Sequence, residues 1–316
     1  MDGGVHSSLQ RLQAAVEEQV LGKRGVVELA LICVLTGGHL LLEDVPGVGK
    51  TTLGLALARA LGGSFARLQF TSDLLPSDIL GASVLDPSGT DGPQLRFRAG
   101  PIFANVVLAD ELNRTPPRTQ SALLEAMNEG QVSADGETRR LPSPFLVIAT
   151  QNPFELYGTW PLPDAQLDRF LLRTSMGYPD RESERAVLRG DARRAAARTT
   201  DAAIGPDQLA ALRDTCSNLR VHAEVEDYIL DIVAATRASS ALVRGVSTRG
   251  AEALARAARG LALLRGRDHV LPDDVRQMAR PALAHRVQAR AEGASGAPGG
   301  AERAIEAVLS GVRAPV

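Results

Sequence analysis

Through its first 180 residues the chain alternates short apolar runs with stretches whose apolar residues recur at helical spacing. Five of the runs read as strands, over 39–43, 66–70, 106–110, 145–150 and 171–174. Runs of this kind, without polar alternation, imply a mostly parallel sheet covered by helices on both faces. A helix is expected over 116–129, with Thr115 as its cap, Pro116 in the tolerated first turn and Gly130 as its stop. Two short segments, 131–134 and 137–140, flank Asp135-Gly136, a strong hairpin-turn signal. The region 71–101 is rich in Pro, Gly, Asp and Ser and reads as an insertion carrying short elements.

Beyond Tyr178-Pro179-Asp180 the pattern becomes helical alone. Residues 181–200 are charged and rich in Ala and Arg, a helix running into a loop. From 206 to 288 apolar residues fall at helical spacing, as in Leu209 and Leu212, Tyr228, Ile229, Ile232 and Val233, and Leu254, Ala258, Leu261 and Leu264. Residues 291–300 form a flexible link, and a last helix at 302–311 docks through Ile305, Val308 and Leu309. The organisation expected is an αβα domain over 1–179, a helical linker over 180–205 and a small all-helical domain over 206–316.

Composition narrows the class more than the chemistry. The chain has 316 residues, 44% apolar and 23% charged, with a net charge of −2, as in an ordinary soluble globular protein. Near-neutrality argues against a dedicated nucleic-acid surface. Two distant cysteines, Cys33 and Cys216, have no metal-ligand spacing and fit a reducing compartment. With no basic, apolar-cored leader and no apolar stretch long enough to insert in a membrane, a cytoplasmic protein is expected.

Of 35 basic residues only Lys23 and Lys50 are lysines. Lys50 stands in Asp44-Val45-Pro46-Gly47-Val48-Gly49-Lys50-Thr51-Thr52, between the apolar run Leu40-Leu41-Leu42 and a helical pattern through Leu53, Ala56 and Leu57. Strand, glycine-rich loop and helix in that order are the context of a phosphate-binding P-loop. The backbone N–H groups of the loop Pro46-Gly47-Val48-Gly49, which only the proline lacks, make an anion cradle with the helix N-terminus. Lys50 is compact enough to reach terminal phosphates, and Thr51 offers a hydroxyl to Mg²⁺. Asp44 replaces the usual first glycine, at a place that begins the turn rather than touching phosphate.

Hydrolysis requires charges around the γ-phosphate. The apolar strand 106–110 ends in Asp110 and Glu111. It is expected beside the P-loop strand, with Asp110 on the metal and Glu111 orienting or deprotonating a water. Asn152, after the run 145–150, is placed to sense the γ-phosphate; the alternative is a turn residue before Pro153. Arg169, in Leu167-Asp168-Arg169-Phe170, offers a planar guanidinium for transition-state charge, or is a salt-bridged surface arginine. Arg249, in Ser247-Thr248-Arg249, opens a helix where a cation opposes the dipole, which a nucleotide partner would explain.

These motifs in this order resemble AAA+ ATPases and, more narrowly, the MoxR family. The most specific stretches are Phe70-Thr71-Ser72-Asp73-Leu74-Leu75-Pro76-Ser77-Asp78-Ile79, Gly100-Pro101-Ile102-Phe103-Ala104-Asn105, Ala109-Asp110-Glu111-Leu112-Asn113-Arg114, Gln120-Ser121-Ala122-Leu123-Leu124-Glu125-Ala126-Met127, Ala149-Thr150-Gln151-Asn152-Pro153 and Pro161-Leu162-Pro163-Asp164-Ala165-Gln166-Leu167-Asp168-Arg169-Phe170. The resemblance spans roughly residues 15–290 and implies a P-loop αβα core with a helical lid, assembled as a homo-oligomeric ring, usually a hexamer, with ATP and Mg²⁺ between subunits. It implies that Arg169, with Asp168, reaches the neighbour's nucleotide and that Arg249 is a second sensor. It also implies that Val20-Leu21-Gly22 packs on adenine, and that an insert at 76–102 and the hairpin at 131–140 face a central pore. The resemblance further implies chaperone-like remodelling or metal-cofactor maturation of a client, often with a von Willebrand factor A domain protein. A magnesium-chelatase-like ATPase subunit and a nucleotide-gated scaffold are the alternatives. Gly250 stands where the family often has alanine.

Overall fold

A computed structural model describes residues 3–45, 47–86, 94–152, 158–191, 202–290 and 299–315. Pro46, the tip of the insert and most of the loop expected at 291–300 lie outside the described residues, as does the part of the linker between 192 and 201.

Two helices precede the first strand, α1 (Gly3–Glu17) and α2 (Arg24–Thr36). Then follow β1 (Leu40–Glu43), α3 (Lys50–Ala60), β2 (Phe65–Gln69), α4 (Pro76–Leu80), the ribbon β3 (Gly81–Asp86) and β4 (Gln94–Ala99), and β5 (Val106–Asp110). The core continues with α5 (Pro117–Glu129), β6 (Gln131–Ala134), β7 (Glu137–Arg140), β8 (Leu146–Gln151), α6 (Asp164–Leu167), β9 (Leu172–Thr174) and α7 (Arg181–Leu188).

β1, β2, β5, β8 and β9 form one parallel sheet in the order β2-β5-β8-β1-β9. The strand ending in Asp110 is therefore not beside the P-loop strand, as expected, because β8 lies between them. β8 is buried from Leu146 to Thr150, and such a strand is best served by neighbours on both edges. β2 carries the exposed Arg67 and Gln69 and takes the edge. The pleat divides the sheet's side chains between two cores. Leu40, Leu42, Leu108 and Ile148 join α1, α2 and α3 on one face, whereas Leu41, Val107, Val147 and Ala149 meet α5 on the other.

Gly130 ends α5 in the left-handed conformation, its N–H on the carbonyl of Ala126, as expected. The N-cap is different. Pro116 occupies it, and Thr115 does not cap: its Oγ1 is buried without a hydrogen-bond partner, while its carbonyl accepts from Gln120. A 3-10 turn over Leu112–Arg114 brings the chain into the helix one residue late. The hairpin β6–β7 turns at Asp135 (φ 54°) and Gly136 (φ 78°), the two positive φ values a tight two-residue turn demands. It is joined to the insert. The Asp135 carboxylate accepts from the Ser83 N–H at 2.9 Å, and the Arg139 guanidinium lies 3.8 Å over the Phe97 ring.

The C-terminal part is built from α8 (Pro206–Ser217), α9 (Ala223–Ala238), α10 (Thr248–Leu264), α11 (Pro272–Leu283) and α12 (Gly300–Gly311). A two-stranded ribbon that the helical pattern did not announce, β10 (Leu242–Arg244) with β11 (Gln288–Ala289), is added to them. Ile305, Val308 and Leu309 are buried, as expected of the last helix. α10 packs against α2, and Leu31, Ile232 and Leu261 belong to one hydrophobic core. The lid is thus docked on the side of the sheet where α2 enters β1.

Candidate functional site

The loop after β1 wraps the N-terminus of α3. Gly47 (φ 88°) and Gly49 (φ 101°) adopt left-handed backbone that a side chain would strain, so glycine is required at both. A cleft of about 280 Å³ is lined by Asp44, Gly47, Gly49, Lys50, Thr51, Arg67, Gln69, Asp110, Glu111 and Asn152. It therefore gathers the expected phosphate, metal, base and sensor residues in one place. Lys50 is buried and its Nζ donates to the main-chain carbonyl of Asp44 at 3.2 Å.

Asp44 does more than begin the turn. Its side chain is buried and accepts from the N–H groups of Met176 and Gly177, the latter at 3.1 Å. Met176 lines a second, larger pocket of about 860 Å³ with Gln19, Val20, Leu21, Gly47, Val48, Gly49, Thr52 and Tyr178. The two cavities share Gly47 and Gly49 in their linings, so they lie against the same loop. One part is polar enough for phosphates and the other apolar enough for a base. Gly22 faces a neighbouring depression rather than this pocket.

The two acids are held by residues the sequence did not single out. Thr150 Oγ1 donates to Asp110 Oδ1 at 2.8 Å and accepts from the Glu111 N–H at 2.8 Å. Glu111 sits just past the strand in left-handed backbone (φ 58°), which keeps its carboxylate at the cleft beside Asp110. Arg67 bonds Asp110 at 2.7 Å, Gln69 donates to Glu111 at 2.9 Å, and Arg114 pairs with Glu111 at 2.9 Å. The signal that could have pointed to Arg67 and Gln69, and was not used, is two polar residues at period two in a sheet strand. They face the ends of β5, where Gln69 pairs in register with Asp110.

The donor set fits Mg²⁺. Among the described residues no group of three or more His, Cys, Asp or Glu could hold a metal ion. Thr51 and Asp110 would supply two oxygens, leaving the other positions to phosphate and water, which is the usual mode for this hard, strongly hydrated cation.

Arg169 and Arg249 are elsewhere. They line one recess of about 400 Å³ with Gly37, Gly38, His39, Asp168, Glu252, Arg256 and Arg286. This recess lies where β1 begins, and the P-loop where it ends. Residues 38–44 in extended chain span about 20 Å. Neither Arg169 nor Arg249 has a side-chain hydrogen bond or ion pair among the described residues. Asp168, expected near nucleotide, is instead bound to Arg286 at 2.7 Å. Ser247 caps α10 by accepting from the Gly250 N–H, so Arg249 occupies the first turn as expected.

Two buried histidines brace this region. His39 Nδ1 accepts from the Val147 N–H and Nε2 bonds the Met127 carbonyl, while burial lowers its pKa to about 4. Burial and the neighbouring Arg286 likewise push His285 well below the usual histidine range.

Comparison with known proteins agrees with this layout. Residues 39–172 match the model of the ATPase family associated with various cellular activities (AAA), and residues 234–314 match the AAA lid domain. The chain is 44% identical to the Bacillus subtilis protein YeaC, itself uncharacterized, over 99% of this chain and 96% of that one. It is 41% identical to chaperone MoxR1 of Mycobacterium tuberculosis over 90% of this chain and 76% of that protein. A crystal structure from Cytophaga hutchinsonii, provisionally described as an ATPase, superposes with a TM-score of 0.84 at 34% identity, covering 99% of this chain and 96% of the other.

Proposed function

Because the chain belongs to the MoxR family of AAA+ ATPases, we propose that it hydrolyses ATP in a Mg²⁺-dependent reaction whose site is completed by a neighbouring copy. The observation that carries this reading is the division of charge. Lys50, Thr51, Asp110, Glu111 and Asn152 converge on one cleft, while two arginines without partners among the described residues wait at the other end of β1.

Adenine would lie against Val20 and Leu21, and the phosphates over the loop N–H groups and Lys50. Mg²⁺ held by Thr51 and Asp110 would neutralise charge on the phosphate oxygens. Glu111 takes a proton from the attacking water, and Asn152 holds that water or the γ-phosphate by a hydrogen bond. Arg169 and Arg249 of the adjacent subunit meet the charge that builds in the transition state, a contribution of about 10³–10⁵ in rate for a finger of this type. Before Glu111 can act, its contacts with Gln69 and Arg114 must open. The same requirement calls for contact between copies, and the form that the family resemblance favours for it is a ring, usually a hexamer.

Glu111→Gln is the direct test: ATP should bind and stay, with phosphate release reduced to background. Wild-type turnover in that variant removes Glu111 from the mechanism. The occupied acids favour one second reading, a nucleotide-gated scaffold. ATP-dependent assembly without phosphate release would establish it.

The work done with the energy is remodelling or metal-cofactor maturation of a client protein in the cytoplasm, together with a von Willebrand factor A domain partner. The exposed Leu85 and Leu95 on the insert, fixed to the hairpin through Arg139 and Asp135, support a protein-facing surface. No helix among the described residues is long and apolar enough to cross a membrane. Affinity capture on the Glu111→Gln protein, loaded with ATP, would identify the client; chelation of a metal into a porphyrin by the captured complex would favour the magnesium-chelatase-like alternative.

A further inference from the structure

Arg286 is the most deeply buried arginine near either site, its side chain only 4% exposed. Burying a guanidinium costs several kcal/mol unless each N–H finds an acceptor. Here five do. Nε donates to Asp168 Oδ1 at 2.7 Å; Nη2 donates to the carbonyls of Asp168 and Phe170 at 3.0 and 2.8 Å; Nη1 donates to those of Leu171 and Ala282. Three of the five bonds go to the residues immediately before and after Arg169, and a fourth goes to Leu171. The anchor comes from the lid, in the 3-10 turn that follows α11.

The stem of Arg286 has a second neighbour. A Cβ placed on Gly250 would stand 3.2 Å from Arg286 Cδ and 2.5 Å from Val246 Cγ1. Glycine next to Arg249 therefore lets the first turn of α10 lie close against the same side chain. One residue thus touches the segment that carries Arg169 and the turn that carries Arg249, and both of those arginines lack partners among the described residues.

We propose that Arg286 is a positioning residue that holds Arg169 and Arg249 in fixed relation, so that lid and core present them to the neighbouring subunit's nucleotide as one rigid pair. This rests on the reading that Arg169 acts on the neighbour's site. A lysine could not replace it: three donors on a single nitrogen cannot serve the Asp168 carboxylate and the flanking carbonyls at once.

Mixing full-length variants separates the possibilities. Arg286→Gln alone should assemble and bind ATP with KM little changed, but with kcat lowered about 100-fold, the cost of misplacing a charge by about 1 Å. Mixed with Glu111→Gln, which cannot hydrolyse but has an intact arginine edge, it should recover activity above the sum of the two alone. Arg169→Ala mixed with Glu111→Gln is the control. If the Arg169 mixture recovers and the Arg286 mixture does not, the positioning role is overturned while the shared site stands. If neither recovers, the shared site fails and the proposal with it. Should Arg286→Gln not fold, Arg286→Lys decides: lowered kcat, unchanged KM and recovery in the mixture support the role, and wild-type kcat, or a raised KM alone, overturns it.

Discussion

Asp44 offers a sharp test, because replacing it with glycine restores the residue that P-loops usually carry there. Its buried carboxylate receives two backbone N–H groups, from Met176 and Gly177. An Asp44→Asn variant would keep the shape but provide one acceptor oxygen, and turn an amide donor toward the other N–H. Losing a hydrogen bond to a charged group and orphaning its buried partner costs about 2 kcal/mol. In a domain of this size that lowers Tm by about 4–8 °C. Asp44→Gly should fall by a comparable amount, since it abandons both N–H groups. Part of the loss should appear in nucleotide affinity, because Met176 is a wall of the base pocket. If about 1 kcal/mol of it does, the dissociation constant for ADP rises about fivefold. Differential scanning fluorimetry with and without ADP, followed by calorimetric titration, measures both. An Asp44→Gly protein that melts within about 1 °C of wild type and binds ADP equally well would refute the reasoning.

Acid should destabilise the protein through His39, whose folded pKa of about 4 lies below the usual value of 6.5. The unfolded chain takes up the proton first, so stability is whole above pH 6.5 and is lost as pH falls toward 4, by about 2 kcal/mol at pH 5. His39→Gln should flatten the slope of urea midpoint against pH over that window. The two thiols should resist alkylation until the protein unfolds, since burial raises the pKa of Cys216 to about 11 and that of Cys33 further still. Iodoacetamide labelling followed by intact mass gives the answer, and rapid labelling of the native protein would contradict it.

What could be read along the chain was local. The five strands, the Asp135-Gly136 hairpin and the helix start at Ser247-Thr248-Arg249 each carry their signal within a few residues. Asp110 and Asn152 were legible because each stands at the polar end of an apolar strand, and Lys50 because it joins a glycine-rich loop to a helix. The order of the strands was not, since β8 enters between β5 and β1 by virtue of contacts with both. The role of Asp44 does not show in its distance from phosphate, because its partners are 132 and 133 residues away. Thr115 failed as a cap because a 3-10 turn shifted the helix start by one position. Arg286 was one arginine among many, although a charge inside Pro281-Ala282-Leu283-Ala284-His285-Arg286-Val287 was itself a sign of a buried pair.

The placement of the P-loop and the arginine recess at opposite ends of β1 also makes activity a matter of counting. If, as proposed, the arginines act on a neighbour's nucleotide, contact between copies in a ring is head-to-tail. An open row of n subunits completes n − 1 sites and leaves one subunit idle at its end. Closure adds the last site without adding a subunit, so turnover per chain measures how often the row has met itself.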